Sequence, residues 1–241
     1  GRPAIMARYG RASRLSLPAS YIPPMRHLFR LLSSLLVLLV IAAILLAPLC
    51  PAHGTPPDRP SLTIYQGQGV SSNLLDLFPD LVRGDLRRDD TYFTGLGYFH
   101  PVRTPQVMQR VFDFLRIPNT GTGFEAIVVK HYGEQDNLET SLAYTLRFGE
   151  IKVCQLTMRF GAGLGLSYAF GTPTYEDGPR DDPDKRYHLQ NYNAYEIEWG
   201  LASFPRIGIV TRIHHRSGAY GLIAPRHVGS NFITLGLRSS F

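Results

Sequence analysis

From residue 61 onward the chain alternates apolar and polar positions with a period of two, the repeat of a β-strand whose side chains point to opposite faces. Between residues 153 and 169, Leu156, Met158, Phe160, Ala162, Leu164 and Leu166 share one face, while Gln155, Thr157, Arg159, Gly161, Gly163 and Gly165 share the other. Between 139 and 149, Leu142, Tyr144, Leu146 and Phe148 oppose Ser141, Ala143, Thr145 and Arg147. Eight such segments are predicted, at 61–68, 91–100, 123–133, 139–149, 153–169, 191–202, 206–220 and 230–241. A content of 23 Gly, 13 Tyr and 13 Phe with 18% charged residues agrees with many short strands.

Two architectures satisfy this alternation. A sandwich buries the apolar faces inward, whereas a membrane barrel turns them outward to lipid. The connections favour the barrel. Those at GEIK (149–152) and SFPR (203–206) are short and those at 69–90 and 172–190 are long, and the two kinds fall on opposite ends when both termini are periplasmic. The expected fold is therefore an all-β, eight-stranded antiparallel transmembrane β-barrel in the bacterial outer membrane, spanning 55–241. The connection 101–121, with its helix-like VMQRVFDFL, is too long for a periplasmic turn. It is expected to be an amphipathic piece at the membrane surface, or else a packed helix. The last strand, NFITLGLRSSF, ends in Phe241 with Ile233, Leu235 and Leu237 on its face, an ending that resembles the assembly signal of outer-membrane barrels. It names the outer-membrane assembly machinery as an expected partner.

Residues 1–54 differ in kind. From Met25 a short basic stretch leads into an apolar run, Leu31 to Leu46, and then into small residues around Ala52, the layout of a secretory signal. Met25 is the expected start and cleavage the expected fate, with an uncleaved anchor as the alternative; bulky Leu49 argues against lipidation of Cys50. Only Cys154 follows, so no internal disulfide is expected in the exported part.

The formal net charge of +6 would suggest nucleic acid, but its location does not. Arg2, Arg8, Arg11, Arg14, Arg26 and Arg30 lie in the leader with no acidic residue, which leaves the remaining chain balanced. No nucleic-acid partner is expected.

Candidate chemistry sits in HHRSGAYG (214–221). Parity in the seventh strand groups Arg212, His214 and Arg216, which must line the lumen, and puts His215 and Ser217 on the outer wall beyond an isoleucine stripe. A histidine and a serine turned toward lipid are costly unless they have a task. Two positions apart on one face, their Cα atoms lie about 7 Å apart, so the imidazole can reach the hydroxyl and act as its base. A hairpin turning near Ile223–Pro225 brings Asn231 of the eighth strand opposite Ser217, on the same outer face, where its oxygen can orient the imidazole. Inside, His214, Arg212 and Arg216 are expected to meet Glu196 and Glu198, with Glu125 and Arg159 joining them. TYEDGPRDDPDKR (174–186) is expected to be a solvated loop whose spacing matches no calcium site, and GAGLG (161–165) to be interior glycine rather than a dinucleotide fingerprint. Neither a cofactor nor a metal is expected.

HHRSGAYGLI and GSNFITLGLRSSF, together with GLSYAFGTPTYED and LQNYNAYEIEW, resemble the lipid A 3-O-deacylase and acyloxyacyl-hydrolase-like family over about residues 61–241. The resemblance implies an outer-membrane barrel with its active site on the lipid-facing exterior, built from a His-x-Ser pair and a glutamate on the next strand. His215 matches the base and Ser217 the nucleophile. Asn231 stands where the glutamate is expected, and Gly218 where the better-known members carry an asparagine that helps hold the oxyanion; the amides of Gly218 and Ala219 are the expected replacements. The implied function is removal of an ester-linked acyl chain from lipid A or a similar glycolipid of lipopolysaccharide. A non-catalytic structural or glycolipid-binding barrel is the alternative.

Overall fold

A computed structural model describes residues 59–241 apart from 180 and 183. The expected leader, with Met25 and Cys50, lies outside the described residues. Eight strands follow one another around the fold: β1 (Ser61–Val70), β2 (Arg88–Val102), β3 (Gly121–Gly133), β4 (Leu138–Val153), β5 (Leu156–Phe170), β6 (Leu189–Leu201), β7 (Ile207–Ser217) and β8 (Gly229–Ser240). Each pairs antiparallel with the next, and β1 closes the cylinder on β8 from Ser61 opposite Ser240 to Val70 opposite Asn231. Closure leaves no strand edge unpaired, which a backbone surrounded by lipid requires.

The two sides of the wall differ as the alternation demands. Leu62, Ile64, Leu96, Val128, Leu142, Leu164, Leu166, Ile209 and Leu237 are exposed on the outside. Aromatic residues flank this belt, with Tyr132, Tyr168 and Phe170 toward one end and Tyr98, Phe124 and Tyr144 toward the other. Inside, Tyr65, Phe93, Tyr192 and Phe232 pack against one another and against an ionic network. Arg212 donates to both oxygens of Glu125 at 2.8 Å and to Glu196 at 2.5 Å, and Arg238 grips Glu196 through two bonds of 3.0 Å. Room for this is made by small residues: a Cβ at Gly161 would lie 2.5 Å from Glu196 Cγ. A small barrel filled by paired charges is a plugged cylinder.

Short helices occupy two connections, α1 (Leu77–Arg83) between β1 and β2, and α2 (Gln106–Phe114) between β2 and β3. α2 forms from the segment expected to be helical.

Several local expectations are corrected. GEIK is not a turn: β4 runs through it with a bulge at Gly149, which has φ +60°, and the chain reverses at Cys154 and Gln155. β7 ends at Ser217, because the chain turns into a 3-10 segment at Ala219–Gly221. Arg159, which keeps the lumenal parity expected of it, also donates to the carbonyl of Asn119 at 3.0 Å. The acidic loop 171–188 is not wholly solvated. Its Glu176 turns inward, is buried, and pairs with Arg216 and Gln190.

Candidate functional site

The seventh strand carries its two sets of side chains as parity dictates. Arg212, His214 and Arg216 are buried in the lumen, while His215 and Ser217 are half-buried on the outer wall, above Ile207 and Ile209. His214 donates from Nε2 to Glu139 at 2.9 Å, and its ring lies against Phe93 and Tyr192. Glu139 also meets His131 at 2.8 Å and receives Ser141 and Ser167 at 2.9 and 2.8 Å. Sequence parity pointed to Glu196 and Glu198 as partners for Arg212, His214 and Arg216; Glu196 does meet Arg212, but both carboxylates otherwise serve Arg238 and neither meets His214 or Arg216. Glu139, across the barrel on β4, takes their place.

On the outer wall His215 Nδ1 lies 2.6 Å from Asn231 Oδ1, and Asn231 Nδ2 donates to the carbonyl of Ser72 at 3.0 Å. The second bond decides the first. With the amide nitrogen committed to a carbonyl, the oxygen faces the ring, so Nδ1 must carry the proton and Nε2 is left with its lone pair. Such an imidazole has a free base on the side away from Asn231.

The pairing register differs from the expected one by two residues. Asn231 lies opposite His215 and Gly229 opposite Ser217. The displacement preserves parity, so Asn231 keeps its outward face, and it improves the contact with the ring. Ser217, by contrast, makes no side-chain hydrogen bond among the described residues, with His215 or with anything else. His215 and Asn231 are brought together; the serine stands beside them on the same strand, unengaged.

The expected oxyanion donors are divided. The amide of Gly218 is spent on the carbonyl of Val228 at 3.2 Å, continuing the β7–β8 ladder. Ala219 follows with φ +50°, and no carbonyl takes its amide among the described residues. Gly218 itself is required by the fold, since a Cβ there would lie 2.2 Å from the carbonyl oxygens of Ala224 and Pro225. An asparagine cannot stand at 218 while the 218–228 loop folds back over it. Two polar residues went unnoticed in the sequence: on β6, Asn191 lies opposite Ser217 and Asn193 opposite His215, both with outward parity. The NYN triplet alternates visibly, but only the β6–β7 register attaches it to this site.

Apolar side chains surround the group. The 71–87 loop, tied to the site through Ser72, exposes Leu75, Phe78 and Val82, and the 218–228 loop exposes Tyr220 and Leu222. At the lumen mouth, outside the strands, burial pushes the Glu176 carboxyl up to about 7 against the opposing pull of Arg216. Tyr175 beside it donates to Asp89 at 2.7 Å, linking loop 171–188 to the base of β2.

An apolar outer wall around a charged, filled interior, closed into eight antiparallel strands, can be solvated only by lipid. The described residues form a transmembrane β-barrel. No protein-family model matches the chain, and no curated protein matches it. Among solved structures the barrel is similar to the outer membrane enzyme PagL, at a TM-score of 0.45 and 15% identity over 75% of this chain and 99% of that one. It is similar also to Neisserial surface protein A (0.42, 10% identity, 76% of this chain and 97% of that one). The outer membrane protein OprG from Pseudomonas aeruginosa gives 0.35 and 9% identity over 78% of this chain and 99% of that one.

Proposed function

We propose that this barrel is an outer-membrane serine esterase that removes an ester-linked acyl chain from lipid A or a similar glycolipid of lipopolysaccharide. The observation that carries the reading is the 2.6 Å bond between His215 Nδ1 and Asn231 Oδ1 on a lipid-facing wall, with the Asn231 amide locked by Ser72. A polar side chain facing lipid is costly, and one whose tautomer is set so that Nε2 is basic has a use for that cost.

In this mechanism His215 Nε2 takes the proton of Ser217 Oγ as the oxygen attacks the ester carbonyl. The protonated ring then gives that proton to the departing sugar oxygen, leaving an acyl-serine and a free hydroxyl on the glycolipid. Water, deprotonated by the same nitrogen, releases the fatty acid and restores Ser217. Asn231 Oδ1 accepts from Nδ1 throughout. The amide of Ala219, which no carbonyl takes among the described residues, and the side-chain amide of Asn191, opposite Ser217 on β6, are assigned to the oxyanion, since the amide of Gly218 is already engaged. The acyl chain runs along Ile213, Ile209 and Ile207 below the pair, and the exposed residues of the 71–87 loop press on the outer leaflet beside it. No cofactor or metal enters the scheme.

A second reading, a non-catalytic structural or glycolipid-binding barrel, is favoured by one observation, the unengaged Ser217 hydroxyl. Fatty-acid release by purified protein in detergent, from lipid A and from a nitrophenyl ester, separates the two. Release that Ser217→Ala abolishes supports the esterase; no release from any ester, with wild type and variant alike, establishes the second reading. The same proposal takes the strand ending at Phe241 as the segment read by the outer-membrane assembly machinery. Phe241→Ala is then expected to lower the amount of folded barrel in membranes without altering that of a barrel refolded in detergent.

A further inference from the structure

α2 and its flanks carry a feature that the esterase reading does not use. On a helical projection Phe114, Val107, Val111, Leu115, Met108 and Phe112 form one continuous apolar arc, and Gln106, Gln109, Arg110 and Asp113 fill the other side. The protein covers only part of that arc. Phe112 is buried, and Met108 Sδ accepts from Tyr144 Oη at 3.8 Å. Tyr144 is itself on the outer wall, edge-on to Phe124 in the aromatic girdle near the end where β1 begins and β8 finishes. The rest of the arc is bare: Val107 is 74% and Phe114 85% exposed, with Val111 and Leu115 about half exposed.

We infer that α2 is an interfacial anchor, with the bare half of its arc embedded in the periplasmic leaflet of the outer membrane. Three observations select lipid as the occupant. The covered half of the arc rests on the lipid-facing exterior, so the bare half continues the apolar belt of the barrel and not a separate patch. The polar residues are gathered on the opposite side, as a helix lying in the plane of an interface requires. Arg103, Arg110 and Arg116 are all exposed on or beside the helix, which suits the anionic headgroups of a phospholipid leaflet. The long connection thus acts as a collar that widens the barrel's lipid contact on one side, over β3 and β4.

The test uses Trp199, the only tryptophan in the chain, replaced by Phe so that a single reporter can be moved. Phe114→Trp and, separately, Val111→Trp report the bare arc, and Arg110→Trp reports the polar side. Each variant is reconstituted in vesicles of phosphatidylethanolamine and phosphatidylglycerol with acyl chains brominated close to the headgroup, and folding is checked by heat-modifiable gel migration. Emission from positions 114 and 111 is expected to be blue-shifted and quenched severalfold more by the bromines than emission from position 110, with aqueous acrylamide ordering them the other way. Equal quenching at all three positions, or a shielding of position 114 that grows with protein concentration and is accompanied by a cross-linked dimer, would overturn the inference, the latter in favour of a second copy as occupant. Should Trp199→Phe fail to refold, a bimane label at Val107→Cys in a Cys50→Ser, Cys154→Ser background gives the same readout.

Discussion

Asn231 joins two bonds that can be separated by substitution. It accepts from His215 Nδ1 at 2.6 Å and donates to Ser72 at 3.0 Å. Asn231→Leu keeps the volume and removes both bonds; Asn231→Asp keeps the acceptor and removes only the donor. In the resting protein the ring is half-buried, so its Nδ1–H can turn to water or a headgroup and the loss there is small. In the proposed transition state the ring is an imidazolium, and a hydrogen bond to a charged group is worth about 1.5–3 kcal/mol. Asn231→Leu is therefore expected to lower kcat by about 10- to 150-fold. The lost tie to Ser72, about 1 kcal/mol at a partly exposed position, loosens the loop that carries Leu75, Phe78 and Val82 and raises KM. Asn231→Asp is expected to show the KM effect with kcat maintained. Acyl release from a nitrophenyl ester at saturating concentration, in detergent, reads the two constants apart. Equal kcat for the Leu and Asp variants, with Ser217→Ala inactive, would refute the orienting role, because only the retained acceptor distinguishes them.

Glu139→Ala strips the common partner from His131, His214, Ser141 and Ser167 in the lumen, and should lower stability by about 3–5 kcal/mol; a urea midpoint for the heat-modifiable band matching that of wild type would contradict the network. Glu176 has its carboxyl raised from 4.5 to about 7 by burial, so docking of loop 171–188 is fully favoured below pH 4.5 and loses on the order of 3 kcal/mol as pH climbs through 7. Proteolysis of that loop should accelerate between pH 5 and 8 in wild type and be nearly flat in Glu176→Gln, and parallel profiles would dismiss the titration. Gly218→Asn should open the 218–228 loop and lower activity, since its Cβ meets backbone carbonyls at 2.2 Å; raised activity would show that the loop yields.

Much of the barrel and half of the site could be read along the chain, for a physical reason. Which side of a strand a residue takes is a local property with a period of two, so the outward set His215, Ser217 and Asn231 and the inward set Arg212, His214 and Arg216 follow from counting. An error of two residues in the β7–β8 register left those faces intact. Helix α2 likewise announced itself by its own periodicity. What counting cannot reach is which residues meet across the strands. That His215 pairs with Asn231, that Glu139 from β4 joins His131 and His214, that Glu176 leaves an acidic loop to meet Arg216, and that Asn191 lies beside Ser217 are all set by closure and register. The turn at Cys154 and Gln155 is of the same kind, because nothing in GEIK distinguishes a bulged strand from a reversal until its partner is in place. Faces are determined residue by residue, whereas neighbours on a face are determined by how eight strands, far apart in the chain, settle their hydrogen bonds together.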